Sequence, residues 1–347
     1  MVLIRYGRWL CLWLLLVGLP LPGLAATHVL KFATLAPEGS TWMNLLQDWG
    51  NRLERASGGR LRVRFYPGGI QGDEPDVIRK MRFGQLQGAA LTGYGIGRIY
   101  APARVLEIPF LFRDDAEIDH VRQHLMPTFE QGFRQAGYEL VAWMEVGWVY
   151  FFSREPIRSL DDLRQRRIWL WQGDILGQAL FDASGLSPVP LSITDVYTSL
   201  STGLIDTVYC TPLAAIALQW FNRTHYVADM PMANGIGAIL VSERFFRGLP
   251  ADLQALVRKT GAELSRRLIR ATRADDRKSL AVLRRQGLQF LRNPDPKARA
   301  QLLQLRDRAA AELIRRHYIP RDLYDRTRAL IAAYRKRQQA QPSHGGH

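Results

Sequence analysis

Cysteine is nearly missing from this chain: its 347 residues include two, Cys11 and Cys210. Cys11 sits in an apolar run that Leu12 to Leu16 continue, a poor setting for lipid attachment. The one thiol beyond that run has no partner for an internal disulfide, so core packing must hold the fold. A second long apolar stretch is also missing. After Leu19 no segment approaches the ~20 residues that a membrane-spanning helix needs, and the body of the protein is expected to be soluble. Catalytic and metal-binding patterns are equally thin. Gly93-Tyr94-Gly95-Ile96-Gly97 is a poor dinucleotide motif, because a basic and aromatic loop, a flexible cleft rim, is expected there instead of a phosphate-cradling helix. Nothing in the sequence brings Cys210 within hydrogen-bond reach of His225, and lone buried cysteines are usually inert. His120 and His124 stand at i, i+4 near Glu117, but exposed helix histidines at this spacing are more often bystanders than metal ligands. No enzymatic activity, metal or cofactor is expected.

What is present begins with a leader. Arg5 and Arg8 precede the apolar run Trp9 to Leu19, followed by Pro20, Pro22 and the small-residue stretch Gly23-Leu24-Ala25-Ala26. These are the three parts of a secretory signal, and the run is short for a membrane anchor. Residues 1–26 are therefore read as a signal peptide cleaved near Ala25 or Ala26, and the protein as exported. The remaining length, with 47% hydrophobic residues, can bury a large core and build two lobes.

Charge is unevenly placed. The formal net charge is +15, and Arg258 to Arg337 alone holds 23 Lys+Arg against 8 Asp+Glu, while everything before it balances at 24 against 24. Because an exported protein rarely meets nucleic acid, no nucleic-acid partner is expected. The basic C-terminal region is either a solvated helical face or a docking surface for an acidic partner or anionic lipid headgroups.

Periodicity gives the fold class. Val29 to Thr34 reads as a strand, and Ser40 is a helix N-cap candidate before Trp42, Leu45, Leu46, Trp49 and Leu53 at helical spacing. Arg60 to Tyr66 alternates as a strand, a helix starts near Asp73 with Pro75 in its first turn, and Gly88 to Thr92 is a small-residue strand. This βαβ rhythm implies a parallel sheet, with ligands approaching the carboxyl ends of its strands. The rhythm repeats after Gly147, with a helix at Ser159 to Gln165, a strand at Arg167 to Gln172, a helix at Thr194 to Thr202 and a strand at Leu204 to Tyr209. From Pro250 the sequence reads as helical almost to its end, with one long helix from about Ala251 to Gln286. The segment Gly147 to Asp174 carries Trp148, Tyr150 and Phe152 in alternation, then Trp169 and Trp171; residues two apart share a strand face. Either an aromatic pocket or a packed core fits that pattern.

Five blocks in order carry a resemblance: PEGSTW (Pro37 to Trp42), GGRLRVRFYPGG (Gly58 to Gly69), EIPFLFRD (Glu107 to Asp114), PIRSLDDLRQRRI (Pro156 to Ile168) and VYTSLSTGLIDTV (Val196 to Val208). Across most of residues 28 to 250 the chain resembles the DctP-type substrate-binding proteins of TRAP (tripartite ATP-independent periplasmic) transporters. The resemblance implies a periplasmic two-lobed α/β protein with mixed sheets, a long bracing helix and a helical C-terminus, closing over a small organic solute and delivering it to membrane permease subunits. Lobe I is expected to comprise residues 27–149 plus about 236–270. Lobe II would comprise 150–235 plus about 271–337, with 338–347 as a tail.

The departures from the family pattern are informative. Familiar members grip a substrate carboxylate with an Arg after the block that here reads Asp162 to Ile168, and the next residue here is Trp169. A second Arg often stands eight residues before the Pro-Ile pair, where this chain has Trp148. Tyr209, Cys210 and Thr211 replace a more polar set. Indole offers one N–H and a broad apolar face, not a bidentate cation, so the resemblance implies a hydrophobic or amphipathic ligand. In these departures the chain resembles the subgroup with a helical-repeat lipoprotein partner. The expected cleft is walled by Trp42, Tyr94, Trp148, Trp169, Trp171, Tyr209 and Cys210, with Ser40, Thr92 or Thr211 orienting a polar head. Alternatives are a carboxylate receptor with a non-standard anchor, and a sensing or docking subunit.

Overall fold

A computed structural model describes residues 27–291 and 296–340. The expected leader, 1–26, and residues 341–347 of the expected tail lie outside the described residues.

The first half of the chain follows the expected rhythm. Strand β1 (His28–Thr34) leads to helix α1 (Thr41–Ala56), whose N-cap Ser40 accepts a hydrogen bond from the Met43 N–H at 3.2 Å. Trp42, Leu46, Trp49 and Leu53 of α1 are buried, as their spacing requires. β2 (Leu61–Tyr66) precedes α2 (Glu74–Arg82), capped by Asp73 with Pro75 in its first turn. β3 (Gly88–Thr92) runs directly into α3 (Gly93–Ile99), and a 3-10 turn, Ala101–Glu107, leads to α4 (Asp115–Gln135). The expected flexible rim at Gly93–Gly97 is thus a buried helix. Its glycines serve close packing: a Cβ on Gly93, Gly95 or Gly97 would lie 2.1 Å, 2.4 Å and 2.4 Å from Glu107, Glu74 and Arg104 respectively.

β4 (Tyr138–Ser153) is longer than its aromatic alternation indicated. Then come α5 (Leu160–Arg164), held by a Ser159–Asp162 capping box, β5 (Trp169–Trp171), α6 (Ile175–Ser184), β6 (Val189–Leu191), α7 (Val196–Thr202), β7 (Thr207–Cys210), α8 (Pro212–Ala217) and β8 (Tyr226–Ala228). β9 (Ala233–Ser242), absent from the periodicity reading, is buried on both faces and so carries no alternation. α9 (Glu243–Arg247), α10 (Ala251–Arg285), β10 (Gln289–Leu291), α11 (Pro296–Arg315) and α12 (Arg321–Ala340) complete the fold. β10 interrupts the stretch expected to be helical throughout.

Strand pairing explains how two halves share one backbone. β2, β1 and β3 are parallel, and β9 runs antiparallel between β3 and β4. The far end of β4 leaves β9 and pairs instead with β7 and β8, with β10 outside β8. β5 and β6 form a parallel pair joined to β7 through an Ile168–Thr207 bridge. The passage from one half to the other falls at Gly147, where the β4–β9 register shifts and φ is +114°, a conformation that favours glycine. The 35-residue α10 packs along α1, β4 and α8 and so braces both halves. Trp42 and Trp49 each donate their indole N–H to it, at Thr272 (2.9 Å) and Thr260 (3.1 Å).

Candidate ligand-binding cleft

Between the halves lies a cavity of about 330 Å³. Trp42, Thr92, Tyr94, Trp169, Trp171, Tyr209, Cys210 and Thr211 all line it, although α1, β3, α3, β5, β7 and the α8 cap bring them from distant parts of the sequence. The aromatic wall is continuous. Trp169 stacks on Tyr209 with ring centroids 5.1 Å apart and meets Trp220 edge-on at 5.3 Å; Trp171 lies 4.6 Å from Tyr94. In the short β5, Trp169 and Trp171 face the cavity while Leu170 packs behind with Phe181, which is the period-2 geometry of a strand.

Two expected residues are elsewhere. Ser40 is consumed as the α1 cap, accepting from Met43 and donating to the Pro37 carbonyl at 2.7 Å. Trp148 points away from the cavity, its indole N–H donating to Asp115 at 2.8 Å. The shift at Gly147 is the cause: it breaks the alternation of β4, so Val146 and Val149, three apart, both line the cavity and Trp148 does not.

The polar groups of the wall are largely committed. The Trp169 indole donates to the Leu191 carbonyl at 3.0 Å and the Trp42 indole to Thr272, so both offer the ligand a ring face. Thr92, expected to orient a polar head, donates its hydroxyl to buried Glu74 at 2.9 Å. Burial pushes the Glu74 carboxyl up to about 8, the Thr92 hydrogen bonds opposing the shift. Thr211 accepts from Ala214 N–H as the α8 cap but keeps its own hydroxyl proton free to donate. Burial also pushes the Cys210 thiol far up and holds the Tyr209 phenol protonated, which makes Cys210 a poor nucleophile.

A charged cluster that periodicity did not reveal closes one side of the cavity. Arg104 lines it and is itself buried, donating Nε to Glu107 at 2.6 Å and both terminal nitrogens to Asp174. Glu107 also accepts from Ile236 N–H at 2.9 Å. Burial raises the Glu107 carboxyl while the guanidinium pulls it back, and the two carboxylates hold Arg104 charged. A second set of bonds crosses the cleft beside it. One oxygen of Asp73 accepts from the Trp171 indole at 2.9 Å, Ser192 Oγ at 2.7 Å and Ile193 N–H at 3.3 Å, while the Tyr94 hydroxyl donates to the Gln172 carbonyl at 2.7 Å. Asp73 was legible as a helix start, but its second carboxylate oxygen acts across the cleft.

Two α/β halves threaded by shared strands, with an aromatic cavity between them, define a receptor of the periplasmic-binding-protein type. The chain belongs to family 7 of the bacterial extracellular solute-binding proteins (DctP), whose pattern matches residues 32–313. Members of that family are solute-binding receptors rather than enzymes, and they work in the periplasm. The chain is 29% identical over 161 residues to the uncharacterized protein YiiZ of Salmonella typhimurium, a match spanning 45% of this chain and 49% of that protein. It is 22% identical over 274 residues, 78% of this chain and 82% of the relative, to the C4-dicarboxylate-binding periplasmic protein DctP of Rhodobacter capsulatus. The crystal structure of the sugar acid binding protein DctPAm from Advenella mimigardefordensis, in complex with galactonate, superposes with a TM-score of 0.82. That match is at 15% identity over 89% of this chain and 99% of the other.

Proposed function

We propose that this protein, exported to the periplasm by a leader that is then cleaved, captures a hydrophobic or amphipathic organic solute in the aromatic cleft and delivers it to the membrane subunits of a TRAP-type transporter. A helical-repeat lipoprotein is a candidate further partner. One observation carries the ligand reading: among the described residues lining the cavity the sole guanidinium, Arg104, is already neutralised by Glu107 and Asp174. An anionic ligand would find no uncommitted cation in the wall, and burying an unpaired carboxylate there is costly. The ring faces of Trp42, Trp169 and Tyr209 reward apolar surface at about 2.5 kcal/mol per 100 Å², and the Thr211 hydroxyl remains to orient a polar end.

A second reading, a carboxylate receptor with a non-standard anchor, draws on the relatives, which are described as binding C4-dicarboxylates and, in complex, galactonate. It requires the ligand to displace Asp174 or Glu107 from Arg104. Native mass spectrometry of protein purified from its own periplasm, followed by calorimetry against succinate, galactonate and aromatic or lipid-like solutes, separates the two. A co-purifying apolar mass supports the first reading; micromolar binding of succinate or galactonate, lost in Arg104→Met, overturns it in favour of the second. A sensing or docking role is a third possibility, favoured if ligand binding drives association with a signalling partner and no transport depends on the protein.

A further inference from the structure

The positive charge found in the C-terminal third has a definite geometry on α10. This helix carries ten basic residues against four acidic ones. At about 100° per residue, Lys259, Arg266, Arg270, Arg277 and Arg284, spaced by 7, 4, 7 and 7, fall within an arc of roughly 40°. All five are exposed. Their Cα atoms extend along about 37 Å of helix at ~1.5 Å per residue. None of the five is ion-paired among the described residues, although Arg284 also lies over the Phe290 ring at 4.1 Å. The acidic residues of α10 are occupied: Asp252 by Arg60, Glu263 by Arg52, Asp275 by Lys278, and Asp276 is buried. The other face packs on α1, β4 and α8, so the stripe sits on the element that braces both halves.

We propose that this stripe docks the protein on the anionic phospholipid headgroups of the membrane holding its transport partners. A lipid surface fits better than an acidic protein. Protein interfaces draw their affinity from a buried apolar or aromatic anchor, and no large exposed apolar side chain lies on α10 among the described residues. A line of cations with small residues such as Ala262 and Ala281 beside it instead needs only a field of negative charge, with no complementary shape. Such binding would raise the local concentration of loaded receptor near the membrane, and salt would abolish it.

Co-sedimentation with vesicles tests this on the full mature chain. Wild type is expected to bind vesicles of 30% phosphatidylglycerol in phosphatidylcholine at low ionic strength, and to bind neither pure phosphatidylcholine nor the anionic vesicles in ~0.5 M salt. Replacing all five stripe residues with Gln should weaken binding at least ~10-fold, since each cation near the surface contributes appreciably. A control with the same loss of charge at exposed positions off the stripe (Arg55, Arg64, Arg244, Arg308 and Arg321, each to Gln) should stay within ~3-fold of wild type. Circular dichroism reports that both variants fold. Equal losses in the two variants would show diffuse attraction and overturn the stripe. Absence of vesicle binding, or salt-sensitive binding confined to an acidic protein of the transporter, would overturn the lipid surface.

Discussion

Replacing Arg104 with Met removes the one cation from a buried cluster of three charges. The side chains of Arg104, Glu107 and Asp174 are 6%, 10% and 5% exposed, so water cannot take over. Met fills much of the guanidinium's volume but leaves two carboxylates facing each other across the cavity wall. Breaking a buried ion pair at one partner costs about 3–5 kcal/mol, which for a chain of this length lowers Tm by roughly 4–7 °C. The deficit should depend on pH. Without the guanidinium the pull that opposes burial at Glu107 is lost and its carboxyl rises further above its unfolded value, so the folded variant binds more protons than the unfolded chain and its stability falls as pH rises. Differential scanning calorimetry at pH 5 and pH 8 should therefore show the larger deficit at pH 8. The triple variant Arg104→Met, Glu107→Gln, Asp174→Asn should regain most of it, because replacing all members of a buried ionic cluster is near neutral. On the proposed function, that triple variant also keeps its affinity for the apolar ligand within about threefold, a change of less than ~0.7 kcal/mol. A Tm deficit in Arg104→Met below about 2 °C, or one equal at both pH values, would refute the idea that this cation exists to neutralise its two neighbours.

Four further outcomes are expected. Asp73→Ala removes the acceptor that Trp171, Ser192 and Ile193 share across the cleft; at about 1–3 kcal/mol for donors left unpaired, stopped-flow ligand release should accelerate roughly tenfold. Gly97→Ala places a Cβ 2.4 Å from the Arg104 side chain and 2.5 Å from the Tyr318 hydroxyl, and overpacking of about 1–3 kcal/mol should appear in urea titration. Asp276, which receives the Trp148 N–H at 2.9 Å, is pushed up by burial to about 7 from an ordinary value of 3.8. Its contribution to stability is full below pH ~4 and is lost as pH rises through about 7, so Asp276→Asn should flatten the wild-type decline over that window, by at most about 4 kcal/mol. Trp148→Phe should leave ligand affinity unchanged and lower stability by about 1 kcal/mol, the worth of the bond to Asp115; a large loss of affinity by calorimetry would return Trp148 to the cleft.

The local pattern determined much of this protein. Helical spacing in Trp42, Leu46, Trp49 and Leu53, the caps at Ser40, Asp73 and Ser159, and the length of α10 all follow from residues within a turn or two of one another. So does the shared face of Trp169 and Trp171, because β5 is a regular strand. β9 escaped because a strand buried on both faces has no alternation to read. The turn of Trp148 away from the cavity depended on the register shift beside Gly147, which is defined against β9 and cannot be read from β4 alone. Nor could the Gly93 to Gly97 segment be recognised as a packed helix, since its glycines are explained by Glu107, Glu74 and Arg104 approaching from other segments. Sequence by itself determined that Trp169 and Trp171 share one face and that no arginine stands at Trp169, but left pocket and core open until the tertiary structure set that face against the cavity. Only the tertiary structure decided that the remaining arginine, Arg104, is neutralised, because Glu107 and Asp174 reach it from separate elements and charge balance is a property of what is near in space.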